Sequence, residues 1–169
     1  MSRARARILD AFADLVASGD APSLEKVAAA AGVSKGGLLY HFASTTALRD
    51  GLIARALSDT DTALREAAAA GRAAREWLRL SVPDEDQRQV WAGLLATFRL
   101  VGADAALPPQ LAEHEERWQQ LLLDELGDPL HAEVVRLVGD GLLLQSLTGT
   151  PPSAASVEAL ADHLLGRRA

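Results

Sequence analysis

Nearly every apolar cluster in this 169-residue chain recurs at the three- and four-residue spacing of an α-helix, and that period constrains the fold more than any other feature. Ile8, Phe12, Leu15 and Val16 follow it near the start, and Val157, Leu160, Ala161, Leu164 and Leu165 repeat it near the end. Strand signals are nearly absent: aromatic residues make up 4% of the chain and β-branched residues are scattered. The expectation is an all-α protein of about nine helices.

Breakers and caps divide the helices. "SGDAPS" stops the first, over roughly 3–18. Ser23 caps a second that ends at Gly32, and Ser34 caps a short third that ends near Phe42. A fourth starts after Ser44, carries Leu48, Leu52, Ile53, Ala56 and Leu57 on its buried face, and continues to about Ala70. Further helices are predicted over about 86–103 and 109–126. The run from Val134 to Leu147 is apolar on almost every side and is expected to be buried from several directions. Gly139 and Gly141 within it read as places of close helix contact.

The net charge of −6 argues by itself against a nucleic-acid partner, but the average hides an asymmetry. Residues 1–57 hold seven Lys/Arg against five Asp/Glu, while the other 112 hold ten against eighteen, so a +2 segment precedes one of −8. A modestly basic contact module on an acidic body follows, with domains expected at 1–57 and 58–169. The chain has no cysteine, which removes disulfides and thiolate metal sites and suits a reducing compartment, so the cytoplasm is expected. His41, His114, His131 and His163 are never paired at metal-ligand spacing, and no glycine-flanked serine elbow occurs. No cofactor, metal, catalytic centre or membrane segment is expected.

Gly36 and Gly37 sit inside the short third helix, where each costs about 1 kcal/mol relative to alanine. On a helical wheel Leu38, Leu39 and Phe42 share one half, leaving Gly36, Gly37, Tyr40 and His41 on the other. Bare backbone followed by an aromatic and an imidazole suits a helix whose N-terminus must approach a surface closely, as in the major groove of DNA. The competing reading is that the glycines let this helix pack tightly on the first or second.

The segment "SLEKVAAAAGVSKGGLLYHFASTTAL" resembles the DNA-binding head of TetR-type transcriptional repressors, and the resemblance covers residues 5–57. It implies a three-helix, helix-turn-helix head on an all-α body that binds a ligand and dimerises. "GDGLLLQSLTGTPP" and the helix after it are similar to the C-terminal pair through which such repressors pair. By position, Ser23 is implied to contact phosphate, Lys35, Gly36 and Gly37 to face the groove, and Tyr40 and His41 to bind the backbone, with Ser34 also among the implied DNA contacts. Heads of this type usually place a lysine at the start of the fourth helix; this chain has Thr45, which can donate a hydrogen bond but brings no charge. Arg3, Arg5 and Arg7 are open to two readings, an N-terminal arm beside the minor groove or a solvated charge run.

In the body, Trp91, Leu95, Phe98, Arg99, His114, Trp118 and Leu122 are the candidates for an effector pocket, largely apolar; the plain alternative is core. Val138, Leu142, Leu143, Leu147, Val157, Leu160 and Leu164 are the candidates for a two-fold dimer interface. The functional expectation is a homodimeric repressor on a double-stranded palindromic operator, released by a small apolar effector. Its rival is an all-α ligand-binding or interaction protein whose head no longer reads DNA.

Overall fold

The computed structural model describes residues 2–18, 22–84, 87–88, 91 and 109–166. Eight helices and no strand occur among them: α1 (Arg3–Ala17), α2 (Leu24–Ala30), α3 (Lys35–His41), α4 (Thr45–Ala69), α5 (Ala73–Leu80), α6 (Pro109–Leu126), α7 (Pro129–Thr148) and α8 (Ala154–Leu165). The chain is all-α, as its periodicity demands. The helix expected over about 86–103 falls mostly outside the described residues; Gln87, Arg88 and Trp91 are helical. No described helix is long and apolar enough to cross a membrane.

The described residues form two compact units, divided within α4 between Ala56 and Leu57; Gln87, Arg88 and Trp91 group with the first. In that first unit, serines start all four helices by accepting a backbone N–H: Ser2 from Arg5, Ser23 from Lys26, Ser34 from Gly37 and Ser44 from Ala47, at 3.1–3.2 Å. Ile8, Leu9, Phe12, Val27, Ala28, Leu38, Phe42, Leu48 and Leu52 close a single core. Each fully buried leucine there contributes about 1.5–3 kcal/mol.

In the second unit α5 is the central element and packs on α6, α7 and α8. Its buried Ala73 and Ala74 allow close approach, and Trp77 and Leu78 fill the space around it. Asp128 starts α7 by accepting the N–H groups of Leu130 and His131, with Pro129 at the first helical position. Gly139 is where α5 and α7 meet: a Cβ there would overlap the Trp77 indole and stand 2.7 Å from the Ser81 hydroxyl. The indole instead donates from Nε1 to the Arg136 carbonyl at 3.3 Å. A Cβ on Gly141 would meet nothing within 4 Å, so close contact with another helix of this chain explains the first of these glycines and not the second.

Candidate functional site

The turn between α2 and α3 depends on Gly32, whose φ of 63° lies in the left-handed region that a side chain disfavours. It directs α3 so that Leu38 is fully buried while Lys35, Gly36 and Tyr40 stand exposed. Tyr40 is 85% exposed, which no core role requires, and its ring meets that of the half-buried His41 edge-on at 5.1 Å. The glycine pair splits into two roles. A Cβ on Gly36 would enter open space, whereas one on Gly37 would meet the Ser34 Oγ at 3.2 Å and the Val33 Cβ at 3.9 Å. Neither would touch α1 or α2, so tight packing on those helices is not what the glycines serve. Gly37 accommodates the cap of its own helix, and Gly36 leaves the outer face bare.

Charge on this face is partly engaged. The Lys35 ammonium pairs with the Glu25 carboxylate at 2.6 Å, and that contact holds the Glu25 carboxyl below its usual range. Ser23 and Ser34 spend one oxygen lone pair each on their caps and remain exposed, as does Thr45 at the start of α4. Arg3, Arg5 and Arg7 lie within the first turns of α1 because Ser2 caps that helix, so they do not form an extended arm. Arg5 stacks over the Phe42 ring at 5.0 Å.

Within the second unit, His114 and Trp118 come together on α6, with ring centroids 5.5 Å apart. Trp118 also lies 5.6 Å from Trp77, a residue the helical pattern alone did not single out. Leu122 is buried beside them in sequence, one turn further along α6. Trp118 is 5% exposed, and its indole N–H has no hydrogen-bond partner among the described residues. A buried carboxylate stands next to this aromatic group. Asp61 of α4 pairs with Arg65 at 2.6 Å and with Arg117 at 3.4 Å, and its carboxylate stands 3.7 Å from the His114 Nδ1. An Arg117 N–H reaches the His114 Nδ1 at 2.8 Å, which requires that nitrogen to accept. Burial, and then Arg117, hold the His114 imidazole below its ordinary pKa against the opposing pull of Asp61. Trp91 is half-buried and groups with the first unit, while Leu95, Phe98 and Arg99 lie outside the described residues.

The dimer candidates differ in exposure. Leu142 and Val157 are buried by the chain's own packing, while Val138, Leu143, Leu147, Leu160 and Leu164 are half-buried. The apolar residues that α7 leaves exposed are Leu130, Val134, Leu137 and Leu144.

Two family models cover most of the chain. Residues 8–52 match one for bacterial regulatory proteins of the tetR family, and residues 71–167 match one for the tetracyclin repressor-like C-terminal domain. No curated protein matches the chain. Among solved structures, a TetR-family member from Streptomyces coelicolor is 27% identical, with a TM-score of 0.61 over 96% of this chain and 98% of that one. The multidrug binding protein EbrR, complexed with ethidium, is 25% identical with a TM-score of 0.64 over the same shares. A TetR-family regulator from Rhodococcus, 24% identical with a TM-score of 0.66 over 98% of this chain and 96% of that one, shares the fold. A capped helix-turn-helix with a bare, aromatic-ended outer face, followed by a helical body that matches its own family model, makes this chain a member of the TetR family of DNA-binding transcriptional regulators.

Proposed function

We propose that the protein is a homodimeric repressor that holds a palindromic operator in the cytoplasm and releases it when a small molecule occupies the helical body. The outer face of α3 carries this reading: Lys35, Gly36 and Tyr40 are exposed together, and the missing side chain at Gly36 opens onto free space. Ser23, Ser34, Tyr40, His41 and Thr45 then contact the phosphate backbone, while Lys35 and Gly36 meet the groove. Gly37 acts through the cap it accommodates.

The body's part in the reading rests on Trp77, Trp118 and His114. Their clustered rings suit a flat, largely apolar effector, and the unpartnered Trp118 N–H favours one that carries a hydrogen-bond acceptor. EbrR, bound to the planar aromatic ethidium, is a relative of this chain. An effector that binds the DNA-incompetent arrangement more tightly lowers operator affinity by that difference in binding energy. Dimerisation is assigned to the exposed face of α7, where Leu130, Val134, Leu137 and Leu144 follow seam spacing.

The rival reading, a head that no longer binds DNA, draws on the Glu25–Lys35 pair and on the uncharged Thr45. A gel shift with the DNA flanking the protein's own gene separates the two. A discrete complex that an effector dissolves supports the repressor; no complex at low salt supports the rival.

A further inference from the structure

A surface groove of about 520 Å³ opens on the first unit, with Phe12 and Val16 of α1 as its apolar floor and Ser23, Thr45, Thr46 and Arg49 along its polar side. Two of these residues, Ser23 and Thr45, belong to the set assigned above to the phosphate backbone. Arg49 stands one helical turn beyond Thr45 and hence on the same face of α4. It is the only charged residue among the described ones lining the groove.

The Arg49 side chain is unusually uncommitted for an arginine. Its Nε is enclosed by protein yet has no hydrogen-bond partner, and its ion pair with the neighbouring Asp50 is long, at 3.8 Å. The side chain as a whole is 42% exposed, so that exposure belongs to atoms other than Nε. By contrast, Arg55 of the same helix is bound to Asp10 at 2.6 Å. A guanidinium that lines a groove together with three hydroxyls, and whose carboxylate neighbour is held only at 3.8 Å, is arranged to take a tetrahedral oxyanion with two or more N–H groups.

We infer that Arg49 is a backbone-phosphate contact of the head, holding a phosphodiester of the bound duplex at this groove and supplying the positive charge that Thr45 lacks. The inference rests on the head being a DNA-binding module. The contact is sequence-independent, so it sets affinity and register without changing base preference.

The test uses the full-length protein and a random-sequence duplex about three helical turns long, titrated by fluorescence anisotropy between about 50 and 200 mM salt. Arg49→Gln is expected to weaken binding several-fold and to make the slope of log affinity against log salt shallower by about 0.9 for each engaged head. Arg49→Lys is expected to keep most of that slope. Arg79→Gln, which removes the same charge from the body, is expected to leave it unchanged, and thermal midpoints are expected to agree across the set. An Arg49→Gln slope equal to that of the wild type overturns the proposal, even if affinity falls, because the arginine then acts only through packing. Failure of the wild type to bind the duplex at low salt overturns the underlying DNA-binding reading instead.

Discussion

In its proposed role at the groove, Lys35 starts from a pair with Glu25, and the pairing sets what it can contribute. Its ammonium must either leave Glu25 or bring that carboxylate with it, and both routes reduce its net attraction to phosphate. Glu25→Gln is therefore expected to raise affinity for duplexes of any sequence several-fold and to steepen the salt dependence, measured by anisotropy titration. His114 provides a test in the body. Its folded pKa lies below its unfolded value, so stability is fully present above about pH 6.5 and is lost as pH falls from there toward the folded pKa, where the unfolded chain takes up a proton that the folded one refuses. Glu115 and Asp140 act in the opposite sense at lower pH, because burial raises both carboxyls and their protonated forms favour the fold. Thermal midpoints between about pH 8 and pH 6 are expected to fall on acidification in the wild type and to stay flatter in His114→Gln. None of these pairings was legible in the sequence. Glu25 and Lys35 are ten residues apart, and Asp61 lies on a different helix from His114 and Arg117; only the folded geometry brings them together.

At the scale of the element, the caps and breakers fixed the helices well because each is a local chemical signal. Serines at positions 23, 34 and 44 precede observed helix starts, and Gly32 makes the left-handed turn. What local signals could not separate was the use of glycines with similar surroundings in sequence. Gly36 and Gly139 are both helical, yet one faces open space and the other faces an indole. Alanine at the two positions is expected to act in opposite directions. Gly36→Ala should stabilise the protein by about 0.5–1 kcal/mol while weakening DNA binding. Gly139→Ala should destabilise it by about 1–3 kcal/mol, since the overlap with Trp77 exceeds the gain in helix propensity. Differential scanning calorimetry with a parallel DNA titration reads both effects. An unchanged DNA affinity in Gly36→Ala would remove that position from the groove.

For the whole molecule the decisive ambiguity lay in α7. Its residues are apolar on almost every side, so periodicity predicted heavy burial without saying which side faces the chain and which faces outward. The chain's own core takes Ala132, Val135, Gly139, Leu142 and Ser146, which leaves Leu130, Val134, Leu137 and Leu144 in solvent. The exposed stripe is rotated around the helix from the residues expected to form a seam, and periodicity could not supply that rotation because the helix carries apolar residues on almost every side. Leu137→Glu is accordingly expected to yield a folded monomer by analytical ultracentrifugation, with operator binding lost, whereas Leu142→Glu should unfold the body. The exposed stripe on α7 also bears on how such a regulator answers its own abundance. When two copies must meet before either can grip an operator, the population able to bind grows with the square of dilute protein rather than in proportion to it. For the proposed dimeric repressor, dilution by cell growth would lift repression more sharply than the protein's concentration falls, and a gene under its control would respond as a threshold instead of a graded dial.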